Sequence, residues 1–247
     1  SPSSPYAALD WPDNVHIFRS GEMEAVPLPA LGCTVYGRAF TGPRQEDSPL
    51  AGFRAEGEGL LLGCLHGDTA PNSPYGPITG EELAASGLHY LALGHIHQYS
   101  GLQRAGDAFW AYPGCPEGRG FDEPGDKGVL SIEAEPGKVS AQFVPLCRRR
   151  YELLTVDVTG AADPLAAILE ALPRDTGADI YRILLTGEGP APDLAALERE
   201  LAPRFYGLSL RDRTRLPRDL WARRGENTLT GLFLEELWRQ CEEEPDN

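Results

Sequence analysis

Two histidines, His95 and His97, follow an apolar segment that ends in a glycine, and this arrangement suits metal binding. Neutral imidazole is the commonest protein ligand for divalent transition metals. On an extended backbone, residues i and i+2 leave on the same side, so the two rings can converge on one ion or on an adjacent pair. Gly94 is expected to let the chain turn tightly enough to present both rings. Ordinary loop histidines would give the same pattern, so this motif alone leaves both interpretations open.

A second apolar segment, residues 59–65, leads into His66, Gly67 and Asp68. Continuous apolar runs of this kind are typical of buried strands in a parallel sheet. Two successive strands would then each carry a histidine at the carboxyl end, which is the edge of an α/β sheet where ligands bind. The pattern therefore predicts that His66, His95 and His97 are metal ligands. The alternative is that His66 caps its strand and contacts a loop carbonyl.

The elements that position these histidines are predicted from alternation, apolar runs and capping signals. Strands are predicted at residues 15–18, 34–40, 59–65, 90–93, 108–112, 129–134, 140–144, 153–158 and 180–185. Helices are predicted at residues 81–86, 163–172, 194–205 and 229–237. Thr79 and Glu82 form a candidate capping box for the first helix. The apolar stripes of the last two helices are predicted to be core: Leu194, Leu197, Leu201, Phe205, Leu229, Leu232, Phe233 and Leu237.

The predicted strands and helices indicate a mixed α/β (α+β) fold, and the length and composition leave room for one large or two small domains. The chain has 247 residues, of which 41% are hydrophobic. We predict a mostly sheet region at residues 1–148 and a small α+β region at residues 149–247. No apolar run approaches the ~20 residues that a membrane span needs, so no membrane partner is expected. Five widely spaced cysteines favour reduced thiols and a cytoplasmic location.

Several segments together resemble the calcineurin-like metallophosphoesterases, and among them the DNA repair exonucleases of the SbcD and YhaO type. His66 in Leu-His-Gly-Asp resembles the lone histidine that follows a strand in this family, and residues 94–97 resemble its Gly-His-x-His motif. Residues 112–121 and 127–129 are similar to the segments that come next. One position departs from the pattern, because the family usually has serine where this chain has Cys115.

The resemblance covers roughly residues 1–150 and implies a metallophosphoesterase, an exonuclease that cleaves phosphodiesters with two metal ions. It implies the C-terminal half of a four-layer β-sandwich with flanking helices, followed by an accessory or capping domain. By the same resemblance, His66 and His95 would bind one ion and His97 the other, with Mn²⁺ expected and Mg²⁺ or Zn²⁺ as alternatives. Asp68 is expected to orient His66 or to close a turn. Arg119 is expected to contact a phosphate or to brace its loop.

The remaining metal motifs of the family, Asp-x-His and Gly-Asn-His, do not occur in this sequence. We therefore expect the chain to be the C-terminal part of a longer protein. The family's general-acid histidine belongs to Gly-Asn-His, so no catalytic residue is assigned here. The chain alone is expected to be inactive, because three imidazoles without a bridging carboxylate cannot hold two cations close together. An uncovered sheet face would favour homo-oligomers.

Charge opposes a nucleic-acid partner, because the net charge is -15 and DNA affinity comes mainly from Lys and Arg. Arginines at 148–150 and 211–224 could form a local basic face, or could be solvated and paired with acids. The resemblance implies DNA, an SMC-like ATPase subunit of the SbcC type, and the missing N-terminal half as partners. Two alternatives stay open. One is a non-catalytic DNA- or protein-binding module of degenerate phosphoesterase fold, and the other is a mononuclear zinc hydrolase that uses the three histidines.

Overall fold

The computed structural model describes residues 6, 9–216, 221 and 223–243 of the chain. The chain divides into two compact units, Ser1–Tyr151 and Glu152–Asn247, which are described separately below. Within the described residues, no helix combines the length and the hydropathy needed to cross a membrane.

The first unit is built around a six-stranded sheet in the order β1-β2-β3-β4-β6-β5. Its strands are β1 (Glu24–Leu28), β2 (Cys33–Gly37), β3 (Leu60–His66), β4 (Tyr90–Gly94), β5 (Gln103–Ala105) and β6 (Ala108–Ala111). Strands β2, β3, β4 and β6 are parallel, whereas β1 and β5 are antiparallel at the two edges. The parallel pairing places the carboxyl ends of β3 and β4 side by side, with His66 opposite Gly94.

Helix α1 (Gly80–Ala85) connects β3 to β4 and begins with the predicted capping box. The Thr79 hydroxyl accepts a hydrogen bond from the amide of Glu82, and the Glu82 carboxylate accepts one from the amide of Thr79. Such a box satisfies two amides that have no partner within the helix. Leu83 of α1 is buried with Leu65, Leu91 and Leu93 in the main core of this unit.

A hairpin of β7 (Gly128–Glu135) and β8 (Lys138–Pro145) belongs to a second core of the same unit. Its Val139 is buried with Tyr90 of β4 and Ala111 of β6. In β4, Tyr90 belongs to this core while Leu91 and Leu93 belong to the main core, as expected for the alternation of side chains along a strand. Strands β3 and β4 are therefore held from both faces, which fixes the loops that follow them.

The second unit contains a three-stranded sheet in the order β11-β10-β9. Its elements are β9 (Tyr151–Asp157), α2 (Pro164–Ala171), β10 (Ile180–Thr186), α3 (Leu194–Leu201), β11 (Gly207–Asp212) and α4 (Leu229–Glu243). Strands β10 and β11 are parallel. Ile168, Ile183, Leu185 and Leu201 are fully buried and form the centre of this core.

The predicted mixed α/β fold class is confirmed, but several predicted elements are wrong. Residues 15–18 are not a strand, and the pattern missed β1, β5 and β11. Strand β1 contains Pro27, which cannot donate to a ladder and is found on edge strands such as this one. Helix α3 ends at Leu201 rather than continuing to residue 205, because Pro203 interrupts the α-helical hydrogen bonds and a 3₁₀ turn follows.

The apolar stripe of α4 was predicted to be core, and this prediction is wrong for its four named residues. Leu229, Leu232, Phe233 and Leu237 are exposed, whereas Leu234 on the same helix is buried. Helical spacing shows that apolar residues share one face of a helix. It does not show which face packs against the rest of the protein.

Candidate metal centre

The first group of the candidate site is a pair of imidazoles at the carboxyl ends of β3 and β4. His66 is the last residue of β3, and His95 follows directly after β4. The Nε2 atom of His66 lies 3.3 Å from the Nδ1 atom of His95. Two nitrogen ligands at about 2.0–2.1 Å from a tetrahedral ion would be separated by about 3.3 Å. The spacing and chemistry of the pair therefore fit one divalent metal ion bound through these two atoms.

Gly94 allows this pair to form, although by a different mechanism from the predicted turn. Gly94 has no positive φ, and the positive φ falls instead on His95, at 122°. An ideal Cβ atom at Gly94 would lie 3.2 Å from the Nδ1 atom of His66, which is tight for most side chains. Gly94 therefore gives room to the neighbouring imidazole. Positive φ is uncommon for histidine, and strain of this kind occurs at functional sites.

Asp68 lies beside His95 rather than beside His66. One carboxylate oxygen of Asp68 accepts a hydrogen bond from the amide of Ala70 at 2.9 Å and closes a turn. The other oxygen lies 3.6 Å from the Nε2 atom of His95. A carboxylate next to Nε2 favours the proton on that nitrogen, which leaves Nδ1 of His95 free to face His66.

Tyr112 fixes the loop that follows His66. Its hydroxyl donates a hydrogen bond to the carbonyl of Gly67 at 2.8 Å and accepts one from the amide of Thr69 at 3.1 Å. Tyr112 is 2% exposed, and burial raises the pKa of its phenol, so it remains a neutral donor. The carbonyl of Gly67 and the amide of Thr69 thereby gain a hydrogen-bond partner in a loop where no strand supplies one.

The environment of His66 favours the neutral imidazole that a metal requires. Loss of water around the ring lowers the pKa of His66, and the charges of His95 and His97 lower it further. The ring also packs edge-on against Phe40, with ring centres 5.1 Å apart. Since a metal binds only the deprotonated nitrogen, a lowered pKa reduces competition from protons.

The second group centres on His97 and on Glu123, a residue that the sequence analysis missed. The Nδ1 atom of His97 lies 2.5 Å from Oε1 of Glu123, which is 8% exposed. Glu123 also accepts hydrogen bonds from the amide of Arg119 at 2.9 Å and from its guanidinium at 3.2 Å. His97 thus has different partners from His95, although both come from one Gly-His-x-His motif. The only hint in the sequence was a carboxylate shortly after Arg119 in the same loop.

Arg119 therefore lies next to the candidate site and braces its loop through Glu123. The Arg119 side chain is 72% exposed, so its outer part remains accessible to solvent. The hydrogen bond from His97 and those from Arg119 lower the pKa of Glu123 to about 2. Glu123 is consequently a carboxylate at neutral pH.

Cys115 adds a third possible ligand to this group. The donor atoms of His97, Cys115 and Glu123 all lie within 4.8 Å of one another, and no other such trio occurs in the described part of the chain. The Cys115 thiol donates to Glu123 at 3.7 Å. Burial and the nearby Glu123 charge raise the pKa of Cys115. Because the thiolate is the metal ligand, a raised pKa disfavours direct coordination by Cys115.

Acid is expected to destabilise the wild-type protein more than a Glu123→Gln variant. The folded pKa of Glu123, about 2, lies below its ordinary value of 4.5. The unfolded carboxylate therefore binds protons more readily, so its stabilising effect is lost as the pH falls from about 4.5 towards 2. Urea unfolding of the metal-free proteins at about pH 5 and about pH 3 would measure this loss. An equal loss of unfolding free energy in both proteins would contradict the assignment.

Comparison with known proteins relates the chain to the metallophosphoesterases. It is 30% identical over 200 residues to "Uncharacterized metallophosphoesterase YhaO" of Bacillus subtilis (strain 168). The aligned region is 75% of this chain and 48% of the relative, so the chain spans about half the length of the protein that it matches. No model of a known protein family matches the chain. The similarity to a metallophosphoesterase supports the resemblance to the calcineurin-like superfamily.

Proposed function

We propose that this chain supplies three metal-binding histidines to a metal-dependent phosphodiesterase. The observation that carries the proposal is the 3.3 Å approach of His66 Nε2 and His95 Nδ1 at the carboxyl ends of two parallel strands. His97 lies in a separate group of side chains, which suits a second ion. Bound divalent ions lower the pKa of water and stabilise charge on phosphate oxygens. Similarity to a metallophosphoesterase supports the same reaction class.

The side chains around the histidines prepare them for this role in specific ways. Asp68 and Glu123 each place a carboxylate beside one ring nitrogen, at 3.6 Å from His95 and at 2.5 Å from His97. Carboxylate partners of this kind orient metal-binding imidazoles. Arg119 places an exposed guanidinium 3.0 Å from His97, where it can contact a phosphate oxygen of the substrate.

We propose DNA as the substrate, and a row of arginines in the second unit supports a polyanionic partner. Arg211, Arg213 and Arg215 are exposed, and the amides of Arg213 and Arg215 continue the pairing with β10 and its extension. Alternate residues of an extended segment share one face. None of the three has an ion-pair partner among the described residues. An SMC-like ATPase subunit remains a proposed protein partner from the resemblance alone.

Other arginines of the same region follow the alternative interpretation, in which arginines pair with acids. Arg223 contacts Glu226 at 2.9 Å, and Arg224 contacts Glu235 at 3.2 Å. Arg224 also lies over the ring of Trp238, 4.5 Å from its centre. The basic row that we assign to DNA is therefore limited to Arg211, Arg213 and Arg215.

Hydrolysis of a phosphodiester by the native protein tests this function. We expect bis(p-nitrophenyl) phosphate and DNA to be cleaved when Mn²⁺ is added, and cleavage to stop when a chelator removes the ion. A native protein that binds Mn²⁺ without cleaving either substrate would favour the binding module. One tightly bound Zn²⁺ per chain, with hydrolysis that Mn²⁺ does not stimulate, would favour the mononuclear zinc hydrolase that uses His66, His95 and His97.

A further inference from the structure

We propose that Glu123 is a positioning residue that holds His97 with its proton on Nδ1 and thereby makes Nε2 the metal-binding atom. This inference rests on the proposed function, because it assigns a role to His97 as a ligand. In the metal-free protein, the same contact with Glu123 decides which nitrogen of the His97 imidazole carries the proton. The two parts can be measured separately.

The geometry around Nδ1 supports this assignment. Both Oε1 of Glu123 and the guanidinium of Arg119 approach this nitrogen, at 2.5 Å and 3.0 Å. Arg119 can only donate, and an ionised carboxylate can only accept. If Nδ1 carries the proton, it donates to Glu123 while Arg119 donates to the same carboxylate at 3.2 Å. If Nδ1 lacked the proton, it would face the negative charge of Glu123 with its lone pair.

The opposite nitrogen of His97 is available for a ligand. Among the residues that the structure describes, no hydrogen-bond partner is recorded for Nε2 of His97. The side chain is 45% exposed, so an ion can reach this atom. A ring nitrogen that donates to a carboxylate makes the other nitrogen a more basic metal ligand.

The main-chain carbonyl of His97 is held by a hydrogen bond and by a close neighbour. Lys127 is 2% exposed and donates from Nζ to the carbonyl of His97 at 3.0 Å. Gly114 has a φ of 85°, and an ideal Cβ atom there would lie 3.1 Å from the same carbonyl. Lys127 therefore fixes the main chain while Glu123 fixes the ring, and both belong to the segment that follows β6.

This arrangement distinguishes two roles for the carboxylate of Glu123. If the group of His97, Cys115 and Glu123 bound an ion directly, the Nδ1 or Nε2 atom, the thiolate and the carboxylate would all be ligands. In our proposal Glu123 contacts His97 and not the ion, and Cys115 is no ligand. Replacement of Cys115 by serine should then leave the affinity for Co²⁺ unchanged, and the Co²⁺ protein should show no thiolate charge-transfer absorption.

The test compares Glu123→Leu and Glu123→Gln with the wild-type chain. Long-range ¹H–¹⁵N correlation spectra of the metal-free proteins, recorded where imidazole is neutral, report which nitrogen of His97 carries the proton. We expect the Nδ1–H form in the wild type, its retention in Glu123→Gln, whose amide oxygen can still accept, and its loss in Glu123→Leu. Calorimetric titration with Mn²⁺ should show a loss of affinity of about 10- to 100-fold for Glu123→Leu.

Glu117→Leu is the matched control, because Glu117 lies in the same segment and accepts hydrogen bonds from the amides of Arg148 and Arg149. This variant should lose stability without any change in the His97 proton position. The inference is overturned if wild-type His97 carries its proton on Nε2. It is also overturned if Glu123→Leu binds Mn²⁺ as tightly as the wild type, or if Cys115→Ser loses Co²⁺ affinity. A failure of the proposed function would give a different result from a failure of this inference. In that case the wild type would bind no Mn²⁺, but its His97 would still carry the proton on Nδ1.

Discussion

Replacing His95 with glycine is expected to abolish metal binding at the His66 and His95 pair while stabilising the metal-free fold. His95 has a φ of 122°, a region that glycine adopts without steric cost. Strain at such a residue amounts to about 1–3 kcal/mol, and the extra entropy of glycine in the unfolded chain offsets part of it. We therefore expect a gain of about 1 kcal/mol in unfolding free energy. At the same time, the loss of one imidazole should lower the proposed phosphodiesterase activity of the native protein by at least ~10³-fold, which corresponds to about 4 kcal/mol of lost transition-state stabilisation.

His66→Ala is the matched comparison, because it removes the partner ligand without relieving a positive φ. It should cause the same loss of Mn²⁺ binding and activity with no gain in stability. His16→Ala serves as the control for general effects, since His16 is exposed and packs only against Phe18 among the described ring contacts. Calorimetry measures Mn²⁺ binding, a phosphodiesterase assay measures activity, and urea unfolding measures stability. A His95→Gly protein that still binds Mn²⁺ with wild-type affinity would show that the His66 and His95 pair is not the metal site.

Among the proposed substitutions, truncation of Leu91 to alanine is expected to cause the largest loss of unfolding free energy. Leu91 is the second residue of β4, is 0% exposed, and packs in the main core to which Leu83 of α1 also belongs. Removal of a buried leucine side chain costs about 2–5 kcal/mol, because hydrophobic contacts are lost and a cavity remains. A loss of about 3 kcal/mol would lower the melting temperature by about 6–12 °C for a domain of this size. Thermal unfolding followed by circular dichroism measures the shift.

Leu31→Ala is the control for this substitution. Leu31 is 74% exposed in the 3₁₀ turn between β1 and β2, so the same chemical change should alter the unfolding free energy by less than about 0.5 kcal/mol. Equal effects of the two substitutions would contradict the packing of β4 described here. Leu91→Ala should also weaken Mn²⁺ binding, because β4 leads directly into His95.

Local sequence patterns predicted the elements that carry the site. The apolar runs at residues 59–65 and 90–93 correspond to β3 and β4, and the capping signal of Thr79 and Glu82 marks the start of α1. These features depend on neighbours in sequence, and periodicity and capping chemistry describe such neighbours well. The exposed stripe of α4 shows the limit of this reasoning, since periodicity does not identify the surface that a helix faces.

The sequence by itself determined that His66 and His95 follow apolar strands, and therefore that both can reach one edge of a sheet. Only the tertiary structure decided which atoms meet there. It placed Nε2 of His66 opposite Nδ1 of His95, and it gave His97 a different partner, Glu123, which is 26 positions away. Contacts over such separations depend on how strands and loops pack, and the residue types alone do not specify that packing. Pattern analysis therefore missed Glu123, whereas its burial and its hydrogen bonds identify it in the folded chain.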